Sequence, residues 1–535
     1  MRITLGDLTN IYVLGDSLSD TGNIFTLTAG QIPPPPYFEG RVSNGPVAIE
    51  YVVDRLNNAE SNLNLALAPS LLGGNNFAFA GAGTGRNNSN EDDFNLDLPG
   101  LLDQVDAYRQ LGTDSANSLF FIWAGPTNFL DNLGGTNTDD RAVLIEQGVE
   151  NLLVGVEALV ASGASKFVIP NMLNLGRLPT SAAFQREART VAIAFNGRLG
   201  LSLDNLEQKV GNQSLELVEV DLFGLGETIA ENPTRFGFTN TTDPLLSLVA
   251  TGQALPNTPG FFFWDPLHPT TQAHAIIGET IFNTLIGDIP QPIFNDILGT
   301  AQRDFLFGTK AADNIDGFAG NDFLFGLSGG DRIEGWQGRD WLFGNSGNDT
   351  IDGGAGRDVA WGGSGDDLVF GGEGGDWLSG NEGSDILIGD EGADALWGNQ
   401  GDDDLLGGRG NDRLWGNGGD DILRGGEGHD WLLGGNGADK LVGGNGDDWI
   451  AGGAGDDVFV GGPGQDSLIG GLGNDVVRYQ ALMSDFTFRG GPEQFQVIGA
   501  GGTQTLLGIE FLEFANEQIA VHSLPFTSSV PLPEI

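Results

Sequence analysis

The chain has 535 residues, with 73 acidic against 24 basic side chains and a formal net charge of −49. That balance excludes nucleic acid and anionic membrane surfaces as partners, because phosphate binding needs basic groups, and it favours cations. Cysteine is absent, so neither a disulfide framework nor a thiolate metal site is available. The length predicts two to four domains. Glycine, at 87 residues, is used more than twice as often as usual, and the excess falls after residue 298. The opening Met1-Arg2-Ile3-Thr4-Leu5-Gly6-Asp7 lacks a charged stretch followed by an apolar core, so no Sec-type signal is expected there. Nor is there a run of about 18 apolar residues that would predict a membrane span.

Ile11-Tyr12-Val13-Leu14 is a short apolar run ending in glycine, which by its length predicts a buried strand. Leu119 to Trp123 and Lys166 to Ile169 read the same way, and Leu215 to Val220 alternates as a strand does. Helical spacing runs from Asp140 to Ala161, Thr190 to Leu206 and Thr271 to Leu285. Alternating strands and helices predict a parallel sheet with helices on both faces. Ligands then bind beyond the carboxyl ends of the strands. Ser17, Asn128 and Asn171 each follow a predicted strand.

Ser17 sits in Gly15-Asp16-Ser17-Leu18-Ser19-Asp20, and Asp265-Pro266-Leu267-His268 follows about 250 residues later. A serine hydroxyl is a poor nucleophile until an imidazole takes its proton. A carboxylate on the other ring nitrogen orients that imidazole. Of the four histidines, only His268 and His274 precede the glycine-rich half. Residues 11–285 resemble the GDSL (SGNH) esterase and lipase family. Gly15 to Asp20 matches its nucleophile block, Asn76-Phe77-Ala78-Phe79-Ala80-Gly81-Ala82 its second block, and Asp265-x-x-His268 its last. The stretch Asn232-Pro233-Thr234-Arg235-Phe236-Gly237-Phe238-Thr239-Asn240 is similar to the secreted bacterial lipase branch. The resemblance implies a three-layer flavodoxin-like α/β fold, with Ser17 as nucleophile, His268 as base and Asp265 as its orienting carboxylate. It also implies an oxyanion hole from the N–H groups of Ser17 and Gly81, with Gly83 the other reading, and the Asn128 amide. The third block departs from type. In Gly125-Pro126-Thr127-Asn128 the asparagine stands one place late, so either Asn128 reaches the oxyanion or Thr127 occupies the slot.

From Gly299 to Arg478 the chain repeats every nine residues, giving 20 units without an insertion. The first position is Gly and the sixth Asp in all 20, the fourth is Gly in 18, and the eighth is aliphatic or Phe in 19. Such periodicity decides the architecture. The repeat resembles the RTX nonapeptide of calcium-binding β-rolls. Two units make one 18-residue coil, so about ten coils are expected, with alternate units stacking roughly 4.8 Å apart. The resemblance implies calcium ions held by Asp322, Asp331, Asp340, Asp349, Asp358, Asp367, Asp376, Asp385, Asp394, Asp403, Asp412, Asp421, Asp430, Asp439, Asp448, Asp457, Asp466 and Asp475. This segment carries 34 carboxylates against 10 basic residues, so folding and metal binding are expected to be one equilibrium. The pentapeptide Gly326-Leu327-Ser328-Gly329-Gly330 lies inside the repeat and is read as coincidence.

The outward seventh and ninth positions of nine consecutive odd units carry aromatic rings, from Phe305 and Phe307 to Trp449. An aromatic ladder is expected on one face and a polar face opposite. The ladder serves either as cross-strand stacking or as a surface that docks the hydrolase domain, a second chain or a polymeric substrate. The expected organisation is a hydrolase domain over 1–285, a linker over 286–298, the roll over 299–478, and a strand-rich cap with tail over 479–535. The tail is where a type I secretion signal would lie. The expected function is a secreted, extracellular or cell-surface serine esterase or lipase acting on a lipid or acylated polymer. The resemblance to RTX proteins implies export through type I secretion machinery, and the ester chemistry is expected to need no cofactor. The alternatives are a non-enzymatic calcium-binding surface protein with a degenerate hydrolase domain, and a polysaccharide acetylesterase.

Overall fold

The structure is a computed structural model. It describes the chain except residues 1–2, 6, 28–36, 39–40, 42, 60–62, 64, 73, 79–81, 83, 86–98, 114, 126–128, 130–140, 180–183, 211–214, 252, 257, 288–294, 516 and 525–535. The chain divides into two compact units, one of Met1–Gly135 with Leu144–Gln291 and the other of Thr136–Val143 with Pro292–Ile535.

The first unit holds four parallel strands in the order β1 (Asn10–Gly15), β2 (Ser118–Trp123), β3 (Lys166–Pro170) and β4 (Glu216–Val220). On the free side of β1, Asn76 makes a parallel bridge with Val13. Val13 N donates to Asn75 O at 3.1 Å and Phe77 N to Val13 O at 2.7 Å. The chain therefore leaves β1 for one neighbour and returns on its other side. This reversal opens a crevice at the carboxyl end of β1, where Ser17 follows.

Strand alternation supplies the layers. Ile11, Val13, Phe121 and Val168 share a core with Val52 of α1 (Ala48–Ala59) and Ile277 and Ile281 of Thr271–Leu285. Tyr12 faces the other way and meets Tyr108 of α2 (Leu101–Gln110) edge-on at 4.6 Å and stacks on Phe120 at 5.6 Å. The remaining main helices are α3 (Arg141–Ala161), α4 (Gln185–Val210), α5 (Leu222–Glu231) and α6 (Thr271–Leu285). The sequence reading places α3, α4 and α6 but omits α1, α2 and α5. In α1 the buried Ile49, Val52, Val53 and Leu56 carry the helical spacing that would have shown it.

The second unit is a β-roll. Leu342 lies between Leu324 and Ala360, each 18 residues away in parallel register. Odd units lie in a sheet of 13 strands and even units in one of 14, each extended by strands beyond the ten that its units supply. The eighth side chain of each unit points inward, so Ile315, Leu324, Ile333 and their successors to Val477 form a single-file core with no exposure. At the far end, Gly502–Leu507 continues the odd sheet beside Ser467–Leu472, then turns into antiparallel strands Gln494–Gly499 and Thr487–Gly490. Phe495, Leu506 and Leu512 close the core there. At the near end, strand Asn295–Thr300 pairs with Asp313–Gly320. Part of the stretch read as a linker is thus a strand, because Ile297 packs against the first exposed edge of the core.

The aromatic ladder forms. Phe305–Phe323, Phe307–Phe325, Phe325–Phe343, Phe343–Trp361 and Trp397–Trp415 stack with centroids 4.7–4.9 Å apart and planes within 10°. The opposite face is mixed rather than uniformly polar, carrying Asn314, Asp316, Arg332, Glu334, Thr350 and Asp352 at its start. Its outward positions include Leu368, Phe370, Ile386, Ile388, Leu406 and Ile422, all buried.

Candidate active site

β1 ends at Gly15, whose φ of +144° suits glycine and where a β-carbon would collide with the Trp123 carbonyl. Gln104 of α2 clamps this residue from both sides. Gly15 N donates to its Oε1 at 2.8 Å and its Nε2 donates to Gly15 O at 2.9 Å. The chain then turns: Asp16 Oδ1 accepts from Leu18 N at 3.0 Å, and Asp16 O accepts from Ser19 N and Asp20 N, each at 3.1 Å. Asp20 Oδ1 accepts from Gly22 N at 2.7 Å and Asn23 N at 2.6 Å. Asn23 in turn donates to Asn76 O and Ala78 O at 2.8 Å. These bonds hold Ser17 as the half-buried residue in a run of buried ones.

The second loop is equally constrained. Trp264 N donates to His268 O at 2.7 Å, and Thr270 N to Phe262 O at 2.8 Å. Asp265 Oδ1 accepts from Leu267 N and His268 N, both at 2.8 Å. His268 Nδ1 lies 2.9 Å from each Asp265 oxygen, and Nε2 lies 2.9 Å from Ser17 Oγ. A carboxylate only accepts, so the ring proton sits on Nδ1 and Nε2 is the acceptor for the serine hydroxyl. The three groups named from sequence therefore lie in one hydrogen-bonded line.

Their electrostatics follow from burial and from each other. Burial pushes Asp265 up, but His268, the Leu267 N–H and the Tyr37 hydroxyl outweigh it and bring it down to about 2. Burial pulls His268 down, but the charge of Asp265 and its hydrogen bond leave the imidazole above its ordinary value. Burial raises Asp16 to about 7. His274 is buried, accepts from Ala48 N at 3.2 Å and is lowered to about 3, so it ties α6 to α1 as a neutral ring.

Other expected residues fall elsewhere. Asn171 is not at the site line; its Oδ1 accepts from Leu222 N at 2.7 Å and Phe223 N at 3.0 Å, opening α5. The stretch Asn232 to Asn240 supports the histidine loop, since Asn240 N donates to Gly260 O at 3.0 Å and Phe262 N to Asn240 O at 2.9 Å. Gly81, Gly83, Thr127 and Asn128 lie outside the described residues. Tyr37 and Gln104 are absent from the sequence reading, which had no motif for either.

The GDSL-like lipase/acylhydrolase model matches residues 11–281. The chain belongs to this family. It is an ester-acting hydrolase. The GDSL unit is 28% identical over 318 residues to phosphatidylcholine-sterol acyltransferase of Aeromonas hydrophila, a match covering 50% of this chain and 88% of that one. It is 25% identical over 299 residues to thermolabile hemolysin of Vibrio parahaemolyticus, covering 52% and 64% respectively. An acetylxylan esterase of Geobacillus stearothermophilus aligns in structure with a TM-score of 0.31 and 14% identity, covering 54% of this chain and 97% of that one. The RTX calcium-binding nonapeptide repeat matches in ten overlapping stretches, from 298–333 to 442–477.

The roll's aspartates suit a hard cation. From Asp304 to Asp457 each sixth-position aspartate N–H donates to the Oδ1 of the aspartate one coil on, as in Asp340 to Asp358 at 2.7 Å and Asp376 to Asp394 at 2.7 Å. That leaves Oδ2 of Asp340, Asp358, Asp376, Asp394, Asp412 and Asp439 buried without a hydrogen bond. A β-carbon on Gly371 would lie 2.8 Å from both Asp376 Oδ2 and Gly389 O. The first-position glycine thus leaves open a cradle lined by a carboxylate and a carbonyl oxygen. Among the described residues no three His, Asp or Glu side chains form a metal cluster. Backbone carbonyls must therefore complete the 6–8 oxygens that calcium takes. Without a cation, burial pushes Asp340 up to about 7 and Asp358, Asp367 and Asp394 up to about 8. The first coil differs. Asp304 Oδ2 accepts from Thr300 N at 2.7 Å and Oγ1 at 2.9 Å, and Asp313 Oδ2 from Thr309 Oγ1 at 3.0 Å. Hydroxyls there take the oxygen that a cation would otherwise take.

Proposed function

We propose that this protein is a secreted serine esterase or lipase that hydrolyses carboxylic esters through an acyl-enzyme, and that its roll folds on calcium. The observation that carries the reading is the line Asp265–His268–Ser17, with both links at 2.9 Å. Ser17 Oγ attacks the ester carbonyl carbon while its proton passes to His268 Nε2. Asp265 keeps the Nδ1 proton in place and stabilises the imidazolium. The Ser17 N–H, with Gly81 and Asn128, stabilises the tetrahedral oxyanion. Collapse expels the alcohol, which takes the proton from Nε2. Water then repeats the sequence on the acyl-enzyme and releases the acid.

The calcium part rests on the repeat family and on the buried Oδ2 atoms. The eighteen aspartates from Asp322 to Asp475 hold the ions with backbone carbonyls, and no ion takes part in the ester chemistry. Work outside the cell, where calcium is plentiful, fits both the repeat and the hemolysin relative. A lipid ester is the favoured substrate, because one relative is named for phosphatidylcholine and sterol. That same name favours a second reading, transfer of the acyl group to an alcohol instead of water.

Hydrolysis of short- and long-chain p-nitrophenyl esters by wild type and Ser17→Ala tests the reading. Loss of at least about 10³-fold in kcat/KM is expected for the variant. Equal rates would reject it. Adding a sterol or long-chain alcohol separates transfer from hydrolysis by the product formed.

A further inference from the structure

Tyr37 lies 228 positions from Asp265, yet its hydroxyl donates to Asp265 Oδ2 at 2.7 Å. Its ring meets Trp264, the residue before Asp265, edge-on at 5.9 Å and 87°. The two carboxylate oxygens are not equivalent. Oδ1 accepts two backbone N–H groups from its own loop, Leu267 and His268. Among the described residues Oδ2 has only the Tyr37 hydroxyl and a share of His268 Nδ1 as donors. Nδ1 carries one proton and stands 2.9 Å from both oxygens. The donors on each oxygen therefore set where that proton settles and how strongly the carboxylate holds the imidazolium.

We infer that Tyr37 is a positioning residue of the hydrolytic site: its hydroxyl fixes the plane of the Asp265 carboxylate and draws off part of its charge. The inference rests on the Ser17–His268–Asp265 reading. Besides Ser17 at Nε2, four titratable groups bear on the ring of His268: Asp265 directly, Asp16 through its charge, the neutral His274, and Tyr37 through Asp265. Without the phenol, Oδ2 becomes a stronger acceptor for the ring proton. The imidazolium is then held more tightly, so His268 becomes the neutral base only at higher pH. The carboxylate also loses the tether that, among the described residues, alone comes from outside its own loop.

The test uses the full-length, calcium-loaded protein and the pH dependence of ester hydrolysis. Tyr37→Phe keeps the ring and removes only the hydroxyl. Its kcat is expected to fall about 10-fold, the worth of one hydrogen bond, with KM within about twofold of wild type. The acid limb of kcat/KM is expected to move to higher pH. If Tyr37→Phe is thermally weakened, global replacement of the 5 tyrosines by 3-fluorotyrosine strengthens the donor and must move the limb to lower pH. A limb unmoved in both proteins overturns the inference, even if kcat falls. Wild-type rates in Ser17→Ala would instead overturn the underlying triad reading.

Discussion

Ser17 is selected by its surroundings as much as by its chemistry. Its neighbours Asp16, Leu18, Ser19 and Asp20 are all buried, and it alone is half-open. His268 must lose its Nε2 proton to act as base, and the Asp265 carboxylate at Nδ1 stabilises the imidazolium that carries it. Activity is therefore expected to rise with pH along a limb centred above the ordinary imidazole value, and a kcat/KM profile from pH 5 to 9 checks it. Asp265→Asn keeps the shape but offers the wrong hydrogen-bond donor, so kcat is expected to fall about 10³–10⁴-fold with little change in KM. Asp265 itself is depressed, to about 2. Its contribution to stability is present above its unfolded value near 4 and is lost only as pH falls towards 2. At this scale much was legible. Few histidines precede the repeat, and nucleophile, base and carboxylate are recognisable types. Tyr37 and Gln104 were not legible, because their contacts join distant segments and leave no local spacing.

The roll's elements were readable because a nine-residue period with fixed inward and outward positions leaves little freedom. The single-file core from Ile315 to Val477 and the aromatic stacks follow from that period. What it could not show is how the rings use their surfaces. Stacking at 4.7–4.9 Å with near-parallel planes turns ring faces toward one another and leaves edges outward. That geometry supports the cross-strand stabilising role. Trp415→Ser is accordingly expected to cost about 0.5–1.5 kcal/mol beyond its lost burial, read as a lower Tm of the calcium-loaded roll. Gly371→Ala places a methyl in the oxygen cradle beside Asp376 and Gly389. It is expected to raise the calcium concentration needed for folding, measured by far-UV circular dichroism. The first coil obeys another rule, since Thr309 satisfies Asp313. Thr309→Val is expected to destabilise the roll by about 1 kcal/mol without shifting the calcium midpoint by more than about twofold.

At the scale of the whole molecule, charge dominates. Of the net −49, the roll carries 34 carboxylates against 10 basic residues, its repeat aspartates are buried, and cations relieve that charge. Protons can do so partly. In calcium-free protein, burial raises Asp340 to about 7 and Asp358 and Asp394 to about 8, above their unfolded values near 4. The folded state then binds more protons than the unfolded state between those limits. Roll stability is thus expected to fall as pH rises from 5 to 8 without calcium, and to lose that slope when calcium is saturating. Circular dichroism at each pH, with and without chelator, reads this directly. The parallel sheet and the ten-coil roll were both legible from alternation and repeat. The start of the roll at Asn295 was not, because a non-repeating strand covers the first coil. The most direct measurement is peptide mapping after reaction with a fluorophosphonate ester analogue. A single adduct on Ser17, abolished by His268→Ala, is the predicted result. Labelling of another serine, such as Ser328 in its glycine-flanked pentapeptide, with Ser17 untouched, would contradict the account.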